Sequence, residues 1–250
     1  MNVSGSLIAN SSSMRVHLTS RFGRVLNYLN TNTVSGAWRQ LSGIAIDPGD
    51  GSVWSVCDTT GAPFVTNFTK GGSILSTFPG STISASITEL EGVTVSPKDY
   101  TLWFVEDSPL AGITGRLWHC QRNGTPIGSP IDLTPHGIAS VQDIEYDPSN
   151  DTLLVICNVT SKVYRMDLSG ALVSTTDLSG ITPQPGSWQG IAIDLPSGNW
   201  WLSGYTGGGA NVLICVDPST LAIILSIDTS GWTSMGSIAG IAFDPRFDKQ

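Results

Sequence analysis

Five copies of one short motif recur along the chain at nearly constant spacing. In each copy, large apolar residues alternate with residues of another type, as in a β-strand. Four of the five copies end in proline. The copies are Gly43–Pro48, Gly92–Pro97, Asp143–Pro148, Gly190–Leu195 and Gly240–Pro245. They start 47 to 51 residues apart, and a fixed period of about 20 to 50 residues is typical of folds assembled from similar units. The repeat therefore defines the structural unit of this chain.

Each unit continues with further strand patterns after the motif. Eleven residues after each of the first four motif starts lies a large apolar residue; these are Trp54, Trp103, Leu154 and Trp201. A third and a fourth pattern follow, as in Val163–Asp167 and Ala171–Thr175 with a turn at Gly170. Large and small residues alternate in the first strand, which indicates that both of its faces are covered. Four-stranded units of this length predict an all-β fold, a β-propeller.

The two ends of the chain together complete one unit. The fifth motif is followed by only a few residues before Gln250, so its unit has one strand. At the other end, Asn10–Leu18 aligns with Asn158–Met166 of the third unit. We predict a five-bladed β-propeller with four-stranded blades, the last closed by N-terminal strands plus a C-terminal strand, which removes open sheet edges. The predicted single domain, 1–250, has blades at 43–91, 92–142, 143–189 and 190–239, with 240–250 plus 1–42 as the last.

Segments of the first two units resemble a known family. Leu41–Asp47, Leu90–Val93 and Val105–Asp107 are similar to the SdiA-regulated propeller family, bacterial relatives of NHL-repeat proteins. The resemblance extends over about residues 40 to 205. It implies a five-bladed, calcium-binding propeller without an established reaction, in a family whose members usually carry an N-terminal membrane anchor or signal.

Polar residues are expected to gather at one end of the blades. Because the first two strands form an antiparallel hairpin, the residue before each motif and the residue fifteen after its start lie at the same end. The candidate metal ligands at these positions are Glu91, Asp107, Asp58 and Asn158. Oxygen ligands without a basic neighbour suit a hard cation, so we predict a Ca²⁺ site at the channel mouth. The alternative is that these residues cap strand ends and bond backbone amides.

Glu145 interrupts the pattern of small residues in the first strand. The other four copies have alanine or threonine at this position. A carboxylate there is either hydrogen-bonded in the core or faces the channel, and a general-base role is a further hypothesis. The Asp-Pro pairs of the motif, such as Asp47-Pro48, are interpreted as turns in which Asp bonds nearby backbone N–H groups.

Charge and cysteine usage limit the partners and the location. The chain has 12 Lys and Arg against 20 Asp and Glu, a net charge of −8, so nucleic acid is not an expected partner. Leu221–Ile227 is the longest apolar stretch, far short of the roughly 20 residues of a bilayer span, and we expect no membrane insertion and no signal peptide.

Cys57 and Cys157, like Cys120 and Cys215, share positions on non-adjacent blades, which predicts buried, reduced thiols. Synthesis in the cytoplasm is favoured, and the location is left open between the cytoplasm and a phage virion.

Two classes of function fit these features. The first is a non-enzymatic binding or structural module that presents loops to a protein or glycan partner, with aromatic residues such as Trp188 and Tyr205 available to stack on sugars. Its Ser/Thr-rich, lysine-poor composition is compatible with a phage virion or surface-adhesion component. The second is a metal-dependent lactonase or esterase-like hydrolase, whose channel acids hold a divalent cation. This alternative resembles the paraoxonase and gluconolactonase propellers, a resemblance that implies six blades. Since this chain has five units and no evident His base, we favour the binding module.

Overall fold

The computed structural model describes residues 5–10, 15–20, 25–30, 41–57, 62–107, 114–182, 184–206, 210–227, 229 and 238–244. Side-chain surroundings are described from residue 41 onward in these ranges, except at Thr206 and Ala210. No helix in this part of the chain is long and apolar enough to span a membrane.

The described residues form twenty β-strands and two 3-10 helices. The first strands are β1 Gly5–Asn10, β2 Arg15–Ser20, β3 Val25–Asn30, β4 Leu41–Ile46, β5 Val53–Cys57, β6 Phe64–Phe68 and β7 Ile74–Pro79. They are followed by β8 Gly92–Val95, β9 Leu102–Glu106, β10 Arg116–Cys120, β11 Ile131–Asp132, β12 Val141–Asp147, β13 Thr152–Cys157, β14 Lys162–Asp167 and β15 Leu172–Asp177. The last are β16 Ser187–Asp194, β17 Asn199–Thr206, β18 Ala210–Val216, β19 Ile223–Ser226 and β20 Ile238–Phe243. The 3-10 helices span Gly80–Thr82 and Thr134–His136.

The strands pair into four-stranded antiparallel sheets. Four of these are meanders in chain order, β4-β5-β6-β7, β8-β9-β10-β11, β12-β13-β14-β15 and β16-β17-β18-β19. In a further sheet the order is β20-β1-β2-β3, so strands from both ends of the described chain pair with one another. The motif strands β4, β8, β12, β16 and β20 contact each other in sequence, and β20 also contacts β4. The predicted all-β propeller with four-stranded antiparallel blades is therefore confirmed.

The core lies between neighbouring sheets rather than inside one layer. Successive side chains on a strand point to opposite faces, and here both faces are covered. On β5, Val53 belongs to a buried cluster that includes Ala242 of β20, whereas Trp54 belongs to one that includes residues of β8 and β9. Trp103 and Trp201 repeat the role of Trp54 one and three units further along. This confirms the interpretation that the alternation of residue types reflects strands buried on both faces.

The motif strands approach each other most closely at the motif glycines. A Cβ built on Gly43 would lie 2.5 Å from the Cα of Gly92, and one on Gly92 would lie 2.8 Å from the Cα of Asp143. Gly240 faces the carbonyl oxygen of Ser42 in the same way, at 2.7 Å. These contacts are to backbone, which cannot rotate away. The glycines therefore permit the narrow axis of the ring, here called the waist.

The Asp-Pro turns at the other end of the motif strands behave as predicted and have a second role. Asp47 Oδ1 accepts a hydrogen bond of 2.9 Å from the backbone N–H of Gly49, which confirms the turn interpretation. Its Oδ2 is 2.5 Å from Arg122 of the next sheet. Asp244 pairs similarly with Lys70. The buried turn aspartates thus also join neighbouring sheets. The spacing of the motifs in the sequence did not predict these ion pairs.

We expect alanine at a waist glycine to destabilise the fold. Gly92→Ala places a methyl group against the backbone of β12, and such overpacking typically costs about 1–3 kcal/mol. Gly180→Ala is the matched control, because a Cβ there would meet no atom within 4 Å. The free energy of unfolding from urea titration measures both. Equal stabilities of the two variants would contradict the close packing of the motif strands.

Candidate functional site

Two carboxylates of β12 bond to the motif strands on either side of it. Asp143 stands where the other four motif copies have glycine, and its side chain is 1% exposed. Its Oδ1 accepts a hydrogen bond of 2.9 Å from the N–H of Ile144. Its Oδ2 accepts another, of 3.1 Å, from the N–H of Ile191 on β16. Asp143 therefore joins two sheets at the waist.

Glu145 makes the equivalent connection two residues further along. Its Oε1 accepts a hydrogen bond of 3.4 Å from the N–H of Ile193 on β16, and its Oε2 accepts one of 3.2 Å from the hydroxyl of Thr94 on β8. The same hydroxyl accepts a 3.1 Å bond from the N–H of Tyr146. Since a motif strand is the inner edge of its sheet, its axis-facing N–H groups have no ladder partner and need another acceptor. The two acids supply it. Of the two alternatives for Glu145, the hydrogen bonds fit the first, and its place in the lining of a pocket fits the second.

Burial sets the protonation of both acids. Loss of solvent raises the pKa of the Glu145 carboxyl to about 8, against the hydrogen bonds from Ile193 and Thr94 that favour its charged form. Loss of solvent also raises the pKa of Asp143 well above its usual range, helped by repulsion from Glu145 and Glu91. At neutral pH the Glu145 carboxyl therefore keeps a proton that it would lose in water.

A pocket opens from Glu145 toward the Asp-Pro turns. Apart from Glu145, Thr94 and Tyr146, the residues that line it are apolar, and three of them are prolines. The residues around it are Ala45, Ile46, Pro48, Thr94, Val95, Pro97, Glu145, Tyr146, Pro148, Ile193, Leu195, Ala242 and Phe243. Concave, mainly apolar sites with a few polar groups are the usual form of small-ligand sites.

The three predicted metal ligands that the structure describes lie at the opposite end of the motif strands from this pocket. Glu91 directly precedes β8, and its N–H donates to the carbonyl of Val105, near the position of Asp107 after β9. Asn158 follows β13, and its N–H donates to the carbonyl of Ser140. Asp58 lies outside the described residues. In the part of the chain that is described, no three His, Cys, Asp or Glu side chains form a group able to hold a metal ion. The calcium site stays a prediction.

The residues that precede the motifs share a backbone feature. The pairing of first and second strands shifts register here in several sheets, so one residue is extra on the first strand. This bulge falls at Gln142 in β12, Gln189 in β16 and Ala239 in β20. β-Bulges redirect side chains and bend the strand that carries them. The position before the motif is therefore distinctive because of its backbone, and a bound ligand is not needed to explain it.

A buried ion pair in the second sheet was not predicted. Glu106 is fully buried and accepts hydrogen bonds of 2.8 and 2.7 Å from Arg116. It also accepts one of 2.7 Å from the indole N–H of Trp118. Arg116 in turn lies over the Trp118 ring, 5.1 Å from its centroid. Because these side chains find their hydrogen-bond partners in one another, we interpret the cluster as structural. The sequence shows only an acid and a base on adjacent strands, which does not predict that they pair.

The other candidate residues are mostly in the core. The described tryptophans are at most 6% exposed; they are Trp54, Trp103, Trp118, Trp188, Trp200 and Trp201. Trp188 thus cannot stack on a sugar, and Tyr205 is half-buried. All four cysteines are buried and no disulfide joins them, as predicted, and burial raises the pKa of Cys120 to about 12.

Apolar side chains are exposed at one recurring position of the outer strands. β7, β15 and β19 each begin with two neighbouring apolar residues that are 38% to 56% exposed; these are Ile74, Leu75, Leu172, Val173, Ile223 and Ile224. In all three sheets the second residue of the pair is the extra one at the register shift that follows the outer turn. β3 starts at the same register with Val25 and Leu26.

Comparison with known proteins gives a likeness in fold. No family model matches the chain, and no curated protein matches it significantly. A protein of unknown function from Bacteroides caccae shares 13% identity with it at a TM-score of 0.53, over 90% of this chain and 73% of that one. A chain of a nidogen–laminin complex shares 11% identity at a TM-score of 0.59, over 96% of this chain and 98% of that one.

A streptogramin B lyase structure is also similar, at 17% identity and a TM-score of 0.49, over 91% of this chain and 70% of that one. This score is too low to carry an argument. At these identities the other two matches show the fold alone. Membership of the SdiA-regulated family therefore stays a hypothesis.

We expect the stability of the protein to fall as pH rises from about 5 to about 8. In this range the folded state keeps the Glu145 proton, whereas the unfolded chain has lost it above the ordinary pKa of about 4.3. Glu145→Gln removes this contribution, so its melting temperature should depend less steeply on pH; Asp143 contributes the remaining slope in the same direction. Glu89→Gln, outside the channel, is the control. Parallel pH profiles of wild type and Glu145→Gln would contradict the protonated carboxyl.

Proposed function

We propose that the chain is a five-bladed propeller that acts as a non-enzymatic binding module for a protein partner. The contacts of the motif strands in cyclic order and the sheet order β20-β1-β2-β3 support a ring closed by strands from both ends of the chain. In this proposal the partner adds an extended segment to the outer edge of a sheet. Main-chain hydrogen bonds then provide affinity, and side-chain contacts provide specificity.

The exposed outer strands are the observation that carries this proposal. Soluble proteins usually protect sheet edges with lysine, proline, bulges or very short strands. β15, of sequence LVSTTD, is six residues long, and its side chains are nearly all exposed. β19, IILS, is likewise exposed. Neither strand contains lysine or proline, and the register shift near the start of each strand leaves the rest of its edge regular. An edge with apolar pairs and uncharged β-branched residues favours pairing with another strand.

A glycan partner and a metal-dependent hydrolase have less support. Among the described residues, Tyr100 is the one aromatic side chain in the set of exposed large apolar residues, so a stacking platform for sugars has little material. The hydrolase requires a cation held by channel acids, for which the described residues offer no three-ligand group. The calcium ion and a role in a phage virion or in surface adhesion stay predictions from sequence.

Edge-blocking variants test the proposal. Random linear peptides displayed on phage are selected on the wild-type protein. Binders are then measured on Leu75→Lys/Val173→Lys/Ile224→Lys, which places a charge on three outer strands. Because lysine on an edge opposes strand addition, we expect affinity to fall about tenfold or more. Hydrogen exchange should slow in the outer strand where the peptide binds.

The matched control carries the same added charge away from the edges, as Ser81→Lys/Gln121→Lys/Thr182→Lys, at exposed positions outside the outer strands. Its peptide affinity should equal that of wild type. Selected peptides that bind both triple variants equally, or that protect amides only at loops, would overturn the edge-pairing proposal.

A further inference from the structure

We propose that the pocket beside Glu145 binds a small primary alkylammonium group. The Glu145 carboxylate receives the positive charge, and the apolar rim packs against the methylene stem. The site lies on the axis of the ring, whereas the outer edges lie at its periphery. It is therefore independent of the partner surface proposed above.

The composition of the pocket favours an alkyl cation over a polar ligand. Glu145 is the one charged side chain among the described residues that line it, and Thr94 provides the one hydroxyl besides the phenol of Tyr146. The walls are formed by prolines and aliphatic side chains such as Pro48, Ile193 and Leu195. An ammonium on a short methylene stem matches this pairing of one acid with apolar walls.

Glu145 has acceptor capacity left for a ligand. A carboxylate offers about four lone-pair sites. Each oxygen accepts a single hydrogen bond in the structure, from Ile193 and from Thr94, and the first of these is long, at 3.4 Å. An ammonium group has three donors, so it can use the remaining sites while Thr94 and the backbone keep their bonds.

Size separates an ammonium from larger cations. The pocket has a cavity volume of about 50 Å³, and on this measure one water needs about 10–15 Å³. It therefore admits an ammonium and a short stem. A planar guanidinium needs a wider approach to use its five donors, and a bound Ca²⁺ needs six to eight oxygen ligands, more than the lining offers.

Among the described residues, the basic side chains near the turns are engaged with other acids. Each forms an ion pair with an aspartate; the pairs are Lys70–Asp244, Lys98–Asp151, Arg122–Asp47 and Arg165–Asp147. The charged groups beside Glu145 on its own strand are Asp143 and Asp147, both acidic. From β8 and β16 it is faced by the uncharged Thr94 and Ile193. Among the described residues near the turns, an incoming cation thus meets no basic side chain that lacks an acidic partner.

Protonation gives the proposed site a distinctive signature. The carboxyl must lose its proton to receive an ammonium, and its pKa is raised to about 8 by burial. Binding should therefore release a proton at neutral pH. Affinity should rise about tenfold per pH unit between pH 6 and pH 8, then level off.

Isothermal titration calorimetry with n-propylammonium and with its neutral analogue 1-propanol tests the proposal. We expect propylammonium to bind wild type at least about tenfold more tightly than propanol does, with the pH dependence given above. Glu145→Gln should lower propylammonium affinity by about tenfold or more, while Glu89→Gln, outside the pocket, should not change it. N-acetyl-lysinamide is a second probe. If it binds more tightly than propylammonium, the natural ligand is the ammonium group of a lysine side chain; if it binds more weakly, the natural ligand is a free alkylamine.

Folding of the variants is checked by circular dichroism, and Glu145→Ala provides a second variant, since alanine occupies this position in three other copies of the motif. Equal affinities for propylammonium and propanol, or undiminished propylammonium binding in both folded Glu145 variants, would overturn the proposal. The lysine variants of the outer strands should bind propylammonium like wild type, so failure of this site and failure of edge pairing are distinguishable.

Discussion

Close packing of the motif strands around the axis is the constraint on which the rest of the structure depends. Backbone meets backbone there, as between Gly43 and Gly92, and a side chain at either residue would have no space. The approach lets each sheet cover both faces of its neighbours, so the core is divided among the interfaces between sheets. The close approach of the motif strands also limits the space along the axis, and the hydrogen bonding of the channel depends on that limit.

A narrow axis has an electrostatic consequence. The inner edge of each sheet presents N–H groups that need an acceptor but have little room for water. In the third sheet Asp143 and Glu145 extend into the axis and accept hydrogen bonds from Ile191 and Ile193. The acceptors are carboxyls, and their burial raises their pKa values. The Glu145 carboxyl thus bridges neighbouring sheets and also faces a pocket with apolar walls. A cation in this pocket can compete with the proton for that carboxyl.

The sequence predicted the features that repeat and missed those that occur once. The motif spacing, the alternation along the first strand and the Asp47 turn are local patterns, so they predicted the sheets, their burial and their turns. The Glu106–Arg116 pair and the Asp47–Arg122 pair join residues whose contact depends on strand register and sheet order, which spacing alone does not specify. The departure of Asp143 from glycine was visible in the motif, but its meaning required the geometry of the waist. The calcium site depends partly on Asp58, outside the described residues, and stays a prediction.

Carbon-13 NMR titration of the Glu145 side-chain carboxyl tests the central claim most directly, with Glu145→Gln used to assign its signal. This carboxyl lies in a desolvated channel where it bridges two sheets, and we expect a titration midpoint near pH 8. A midpoint near the ordinary glutamate value, of about 4.3, would show that the carboxyl is solvated and would contradict the account.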